Sequence, residues 1–163
     1  MKIYLASPLG FAASTAQFME ELAASLSQHV EVINPWDDHR FDDEFARAQG
    51  IADRSERLAV YYLANTELGR SNAASITGSD GVVAVLDGVD VDSGTASEIG
   101  FAFAKGKRIY GLRTDFRLAG DNEGSIVNLQ VQYFIEASGG EIHTVVDGLV
   151  EAVHAWAAGS EQG

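Results

Sequence analysis

The sequence contains no cysteine, so disulfide bonds, thiolate catalysis and cysteine-ligated zinc are all excluded. No apolar run approaches the ~20 residues that a membrane-spanning helix needs. The apolar part of the first ten residues is too short for a secretory signal and is typical of a strand. We therefore expect a cytoplasmic protein that has no membrane partner.

Basic residues are scarce. Lys and Arg number 11 against 24 Asp and Glu, which gives a formal net charge of −13. Nucleic acids and anionic membranes would be repelled by such a surface, so neither is an expected partner. The length of 163 residues suits one domain with a sizeable core. We place this domain at residues 1–158 and expect a frayed tail at residues 159–163.

Several familiar functional motifs are also missing. No Gly-x-Gly-x-x-Gly follows the first expected strand, and the chain has neither a Gly-Lys-Ser/Thr P-loop nor a Gly-x-Ser-x-Gly elbow. The four histidines show no metal-ligand spacing, so no metal site is predicted. If the chain is an enzyme, carboxylates are expected to carry its chemistry.

Short apolar runs alternate with helical patterns about five times along the chain. Strands are expected at residues 2–6, 30–34, 81–88, 108–112 and 141–145, and helices at residues 14–28, 55–80, 95–105, 126–137 and 146–157. The second helical pattern could break near Asn65, and residues 35–50 are expected to form an acidic loop with a short helix. This alternation predicts a single-domain, three-layer α/β/α fold with a five-stranded parallel sheet, flavodoxin- or Rossmann-like.

Ligands in such folds bind beyond the carboxyl ends of the strands. The segments that follow the expected strands there are residues 7–11, 35–38, 87–98 and 113–128. Chemistry-bearing side chains are therefore expected in these segments.

The segment "DVDSGTASEIGFAFAKGKR", residues 90–108, carries the most informative pattern. A helix is expected to begin near Thr95, which would place Glu98 in its first turn. One interpretation is structural, because Thr95 and Glu98 fit a Ser/Thr-x-x-Glu capping box. In that interpretation Asp92 and Ser93 are ordinary turn residues.

The other interpretation is functional. The positive end of the helix dipole favours an ionised Glu98, which could act as a nucleophile. Gly94 lets the backbone approach a ligand closely, and Asp92 lies across the loop, where it could carry a proton. Two carboxylates with separate tasks are the arrangement that cleaves glycosidic bonds with retention.

Four segments together resemble the nucleoside 2-deoxyribosyltransferase family. "SDGVVAVLDG…DSGTASEIGFAFAKGKRIYGL" is similar to the family pattern of Asp, a small Gly-rich triplet, Glu-Ile-Gly and a helix that ends in Gly-Lys. "KIYLASPLGF" resembles the family's first strand and loop, and "GRSNAASITGSD" resembles a helix whose Asp or Asn faces the site. "IVNLQVQYF" resembles a segment that reaches into the neighbouring subunit's site.

The resemblance implies a covalent mechanism without cofactor or metal. Glu98 would attack C1′ of a deoxynucleoside, Asp92 would assist the departing base, and Tyr4 would orient Glu98. A second nucleobase would then take the sugar from the deoxyribosyl–glutamate ester. Asn72 would bind the substrate, as an amide where some members have Asp, and Asn128 would do so in the neighbour's site.

The resemblance also implies partners and further contacts. The expected partners are deoxynucleosides and free nucleobases, and the shared sites imply a homo-oligomer, either a dimer or a hexamer. The remaining substrate-binding candidates lie in the loops at the sheet edge: Pro8, Leu9, Phe11, Trp36, Asp37, Ser93 and Gly94.

Each candidate also has a purely structural explanation. Tyr4 could be a strand residue with a solvated hydroxyl, and Asn72 could lie on a helix surface. Asn128 could cap a helix, and Trp36 could pack its loop onto the core. For Trp36 the packing role is the preferred interpretation. For the other residues we favour function, because they fall near one expected ligand edge and match one pattern together.

Three rival functions remain. A 2′-deoxynucleoside 5′-monophosphate N-glycosidase would carry Ser at the position of Asp92, where an acid repels phosphate. A non-catalytic nucleoside-binding module would not need Glu98 as a nucleophile. A flavodoxin-like redox protein is disfavoured because the first loop lacks a phosphate-cradling Ser/Thr/Gly run.

Overall fold

The computed structural model describes residues 1–160, and residues 161–163 lie outside the described part of the chain. Its strands are β1 (Lys2–Ala6), β2 (Glu31–Ile33), β3 (Gly81–Val85), β4 (Arg108–Leu112) and β5 (Ile142–His143). Its α-helices are α1 (Ala13–Ser27), α2 (Asp42–Gln49), α3 (Arg54–Gly78), α4 (Ser93–Ala104), α5 (Leu129–Ala137) and α6 (Val146–Ser160). Two short 3₁₀ helices, Leu9–Phe11 and Pro35–Asp37, follow β1 and β2.

All five strands of the described chain are parallel and form one sheet in the order β2-β1-β3-β4-β5. Parallel neighbours need crossover connections, and the helices between the strands provide them. The predicted three-layer α/β/α fold with a five-stranded parallel sheet is confirmed. No helix within residues 1–160 is long and apolar enough to cross a membrane.

Side chains alternate between the two faces of the sheet and build one apolar layer on each. Ile3 and Leu5 of β1 face α1 and α6, where they pack with residues such as Leu22 and Leu149. Tyr4 faces the opposite layer, which is covered by α3, α4 and α5. This alternation places the Tyr4 hydroxyl on the same side of the sheet as α4.

The order in which the chain adds strands to the sheet reverses between β1 and β3. The chain runs from β1 outward to the edge strand β2 and then returns past β1 to form β3, every residue of which is buried. A crevice opens where two neighbouring strands send their connections to opposite sides, and ligands of such folds bind there. The loops after β1 and β3 and the start of α4 all meet at this point.

Several element boundaries differ from the sequence predictions. Helix α3 is continuous through Asn65, because this position is neither Gly nor Pro and α2 packs beside the N-terminal half of α3, where the Phe45 and Tyr61 rings lie 6.2 Å apart. The expected break is therefore wrong. Strand β5 has only two residues, and α5 begins at Leu129. Helix α6 includes residues 159 and 160 of the expected frayed tail, and the rest of that tail lies outside the described residues.

We predict that Gly140→Ala destabilises the fold. A Cβ at this position would lie 1.7 Å from the carbonyl oxygen of Ile109, a backbone atom of β4, which is paired with a strand on each side. Since the strand cannot move aside easily, we expect the free energy of unfolding to fall by about 2–3 kcal/mol. Urea denaturation measures this change. Gly78→Ala is the control, because a Cβ there meets nothing within 4 Å, and equal losses in both variants would contradict the prediction.

Candidate active site

A pocket of about 260 Å³ lies at the reversal point, above the carboxyl ends of β1 and β3. Its walls come from the loops after β1 and β2, from the middle of α3 and from the start of α4. The lining residues are Ser7, Phe11, Pro35, Trp36, Leu68, Asn72, Asp92, Gly94, Thr95 and Glu98. The pocket therefore unites three of the four loop segments predicted from the sequence.

A hydrogen bond between Tyr4 and Glu98 joins β1 to α4 beside this pocket. The Tyr4 hydroxyl donates to Oε1 of Glu98 over 2.6 Å, and the tyrosine is fully buried. The explanation of Tyr4 as a strand residue with a solvated hydroxyl is therefore wrong. Because Oε1 is occupied by this bond, the second carboxylate oxygen of Glu98 is the one left to face the pocket.

The protein environment makes Glu98 harder to ionise. Burial raises the pKa of Glu98 above its ordinary value of 4.5, the hydrogen bond from Tyr4 lowers it, and the negative charge of Asp92 raises it again. Burial and the nearby Glu98 also raise the pKa of Tyr4, so the tyrosine keeps its proton and remains a donor.

The expected effect of the helix dipole on Glu98 is not observed. Helix α4 begins at Ser93 rather than near Thr95, so its first turn contains no acid and Glu98 lies in the second turn. The dipole acts mainly within the first turn of a helix. Tyr4 and the burial of the carboxyl, rather than the helix end, control this side chain.

Asp92 is the residue that caps α4. Its backbone is non-helical (φ −54°, ψ 138°), and its Oδ2 accepts a hydrogen bond from the Thr95 amide over 3.0 Å. The capping box between Thr95 and Glu98 is therefore wrong, since Glu98 bonds to Tyr4 instead of reaching back to the helix start. Within residues 1–160 no hydrogen bond engages Oδ1 of Asp92, which leaves that oxygen for the pocket.

Helix α3 contributes one polar and one apolar residue to the pocket. Asn72 is half-buried and lines the pocket instead of lying on a solvated helix surface. Leu68 and Ile76 flank it at spacings of four, which puts all three on one face of the helix. Ile76 is in the core and Leu68 lines the pocket. Sequence reasoning missed Leu68, although its spacing of four residues from Asn72 places it on the same face of the helix.

Phe11 and Trp36 form an aromatic wall. Their ring centroids lie 4.6 Å apart at an interplanar angle of 83°, and the Trp36 indole N–H donates to the carbonyl of Ser7 over 2.9 Å. The indole also lies on Gly10, where a Cβ would come within 2.1 Å of the ring. Trp36 thus both packs its loop onto the fold and lines the pocket.

Six sequence-predicted residues do not line this pocket, and one of them is Tyr4, which is fully buried and reaches the site only through Glu98. Pro8 and Leu9 form the start of a 3₁₀ helix, Asp37 accepts a hydrogen bond from Asn34, and Ser93 is the first residue of α4. Asn128 caps α5, where its Oδ1 accepts from the amides of Gln130 and Val131 over 3.0 and 3.4 Å. The lining residues that sequence reasoning omitted are Ser7, Pro35, Leu68 and Thr95.

The pocket lining contains carboxylates but neither Lys nor Arg. Arg40 lies in a neighbouring polar depression, where it is paired with Asp38 and also donates to Ser71. Among residues 1–160 no group of three or more His, Cys, Asp or Glu is arranged to hold a metal ion. The site is thus suited to a neutral, partly aromatic ligand and to carboxylate chemistry.

Comparison with known proteins identifies relatives. The family model described as nucleoside 2-deoxyribosyltransferase matches residues 3–130, and no curated protein sequence matches the chain. A conserved protein from Enterococcus faecalis V583 is 27% identical, with a TM-score of 0.64 over 94% of this chain and 96% of that chain.

Two functionally described structures share the fold. The 2-deoxyribosyltransferase of Bacillus psychrosaccharolyticus is 18% identical, with a TM-score of 0.60 over 92% of this chain and 90% of that chain. The CMP N-glycosidase of Clostridium botulinum is 18% identical, with a TM-score of 0.55 over 94% of this chain and 98% of that chain.

We predict that Tyr4→Phe raises the pKa of Glu98 further above 4.5, because the lost hydrogen bond is the contact that favours the carboxylate. Titration of the Glu98 side-chain carboxyl by ¹³C NMR measures this shift directly. Tyr110→Phe is a matched control, since Tyr110 is also a buried strand tyrosine but packs on the opposite face of the sheet. An unchanged or lower Glu98 pKa in Tyr4→Phe would refute the prediction.

Proposed function

The chain belongs to the nucleoside 2-deoxyribosyltransferase family, and we propose that it moves the 2-deoxyribosyl group from one nucleobase to another in nucleoside salvage. The observation that carries this proposal is the pairing of Glu98 with Tyr4 in a pocket that also contains Asp92. A half-buried carboxylate held by a tyrosine, with a second acid beside it, fits a nucleophile and a proton carrier.

The first half-reaction forms an ester. A Glu98 oxygen attacks C1′ of the deoxynucleoside, the C–O bond forms as the N-glycosidic bond breaks, and the electron pair of that bond leaves on the base nitrogen. The base takes up the proton that Asp92 must hold at the start of this step, and Asp92 is left as a carboxylate. The hydrogen bond from Tyr4 to Oε1 fixes the carboxylate in position, so that the other oxygen is free to attack.

The second half-reaction reverses these steps with a different base. A nitrogen of the incoming base attacks C1′, its proton passes to Asp92, and Glu98 leaves as a carboxylate. Two inversions at C1′ retain the original configuration. Since Oδ2 of Asp92 caps α4 through Thr95, we assign the proton transfers to Oδ1.

The other pocket residues supply binding. Asn72 carries an amide, which cannot act as an acid or base, so we assign it to hydrogen bonds with the sugar or the base. The edge-to-face pair of Phe11 and Trp36 provides apolar aromatic surface of the kind on which a nucleobase packs.

The runner-up function is hydrolysis of a 2′-deoxynucleoside 5′-monophosphate, for which the shared fold of a CMP N-glycosidase is the supporting observation. Against it stands the composition of the pocket lining, which has two carboxylates and no cation. A phosphate dianion placed there would be repelled by Asp92 and Glu98. Transfer between neutral nucleosides is therefore the better match.

We also propose that two subunits share each site, as a dimer or as a hexamer of dimers. Asn128 lies outside its own chain's pocket, and α5, which it caps, carries exposed apolar residues, with Leu129 54% and Tyr133 57% exposed. Because the cap of α5 uses only Oδ1 of Asn128, the side-chain NH₂ group remains available for a neighbour's substrate.

The function test is a base-exchange assay. Incubation with deoxyinosine plus adenine is expected to yield deoxyadenosine, and Glu98→Gln is expected to lower that rate by at least about 10³-fold through loss of the nucleophile. Glu20→Gln, an exposed change on α1, is the control. Release of free base and sugar phosphate from a deoxynucleoside monophosphate alone, without exchange, would assign the hydrolase instead.

The Glu98→Gln variant is expected to stay folded. A raised pKa in the folded state means that Glu98 adds stability below pH 4.5, and that this stability is lost as the pH rises through the raised pKa. The ionised side chain therefore disfavours folding near neutral pH, and a neutral amide should leave stability equal or higher. A thermal unfolding scan separates loss of activity from loss of structure.

Subunit sharing predicts complementation between two inactive variants. Asn128→Asp keeps an oxygen for the helix cap but removes the side-chain NH₂ group, and Glu98→Gln removes the nucleophile. Subunits mixed by reversible dissociation should regain exchange activity, because some mixed sites contain both native residues. A mixture as inactive as its parents, or an active wild-type species with the monomer mass of 17.4 kDa in light scattering, would contradict sharing.

A further inference from the structure

A buried cation lies next to the pocket without lining it. Arg113 directly follows β4, is 1% exposed and is one of the largest fully buried side chains. Its guanidinium donates to three backbone carbonyls, those of Leu86, Gly88 and Arg117. Burying such a charge costs several kcal/mol before its hydrogen bonds are counted, so an apolar side chain could fill this space at less cost.

Asp87 makes the complementary contacts from the other side. Its carboxylate accepts hydrogen bonds from the Thr114 amide over 2.6 Å, the Thr114 hydroxyl over 2.6 Å and the Asp115 amide over 2.8 Å. Asp87 belongs to the β3–α4 connection and Arg113 to the β4–α5 connection. Each side chain thus binds the backbone of the opposite connection. We call Asp87, Arg113 and these backbone partners the reciprocal strap.

The strap lies only a few residues from the acid that caps α4. Gly88 has a φ of 132° and turns the chain, and Val91 is buried in the layer beneath α4. Asp92 follows directly and begins the helix that carries Glu98. The backbone position of Asp92 is therefore set by the strap at one end of the connection and by α4 at the other.

We propose that Arg113 and Asp87 are positioning residues, which hold the β3–α4 connection so that Asp92 stays at its working distance from Glu98. This inference rests on the proposed transfer reaction, in which Asp92 carries protons to the departing base and from the incoming base. Neither strap residue lines the pocket, so neither contacts the substrate there. The positioning effect that we propose passes through the backbone.

The proposed role of the reciprocal strap predicts the direction in which the pKa of Glu98 changes when the strap is broken. The titratable groups that act on it are Tyr4 from β1 and Asp92 from the start of its own helix, whereas α3 contributes only uncharged residues, Leu68 and Asn72, to the pocket. If Asp92 moves away, its negative charge no longer raises the pKa of Glu98, which then falls towards 4.5. Loss of the Arg113 charge by itself would act in the opposite direction and raise that pKa.

The test compares Arg113→Met, Arg113→Lys and Asp87→Asn with the wild type. We expect kcat for base exchange to fall by about 10–100-fold with KM changed by less than about threefold. The pKa of Glu98, measured by ¹³C NMR in the resting protein, should fall in Arg113→Met. Lys keeps the charge but cannot contact three carbonyls in a planar fork, so Arg113→Lys should resemble Met rather than Arg.

The control is Arg117→Met, which removes a surface side chain paired with Asp115 but keeps the carbonyl that Arg113 uses. A lower Tm with unchanged kcat and unchanged Glu98 pKa in the strap variants would overturn the proposal and leave a purely structural role. If Arg113→Met does not fold, the kcat of Asp87→Asn becomes the deciding measurement, because Asp87 is more exposed than Arg113.

The resting-state titration separates this inference from the proposed function. If the wild type shows no base exchange, the transfer reaction fails on that result alone. The Glu98 pKa in Arg113→Met still tests the strap, since a fall supports positioning and a rise or no change overturns it. For Asp87→Asn in that case, amide hydrogen exchange at Thr95, which reports its bond to Asp92, should speed up, and unchanged protection would count against the strap.

Discussion

One hydrogen bond, from the Tyr4 hydroxyl to Glu98, depends on almost every level of this structure. It needs Tyr4 to point to the α3–α5 side of the sheet, which the alternation along β1 determines. It also needs β1 and β3 to be neighbours, because α4 follows β3 and brings Glu98 back over β1. The strand order that creates the crevice thus also brings the two side chains together.

Holding a carboxylate in this place has an energetic consequence. Burial and the charge of Asp92 both disfavour the ionised form of Glu98, and the hydrogen bond from Tyr4 only partly offsets them. A carboxylate that is poorly solvated is also a better nucleophile than one surrounded by water. The same environment that weakens the fold near neutral pH would therefore favour the attack on carbon that we propose, as expected where a protein gives up stability for reactivity.

The sequence predicted the interior of the fold better than its edges. Strands β1 and β4 lie where their apolar, β-rich runs predict them. A strand that is buried on both faces of a parallel sheet needs a nearly continuous apolar sequence, which is easy to recognise. The start of α4 was missed because Asp92 and Thr95 are both good capping residues three positions apart, and only the contact of Glu98 with Tyr4 decides between them. That contact spans 94 positions in the chain, beyond the reach of any local pattern.

The roles of residues in the connections between strands and helices are hard to predict from the sequence for a different reason. Arg113, a charged residue just after a strand, is typical of a solvated loop, and nothing local reveals that three carbonyls from two connections enclose it. Asp92 has two roles in a similar way, since one carboxylate oxygen caps the start of α4 while the other remains for the pocket. The parallel sheet determines where each connection begins, whereas hydrogen bonds from side chains to the backbone determine the path that the connection then follows. The proton role proposed for Asp92 could therefore be predicted from the sequence, whereas the positioning role proposed for Arg113 could not.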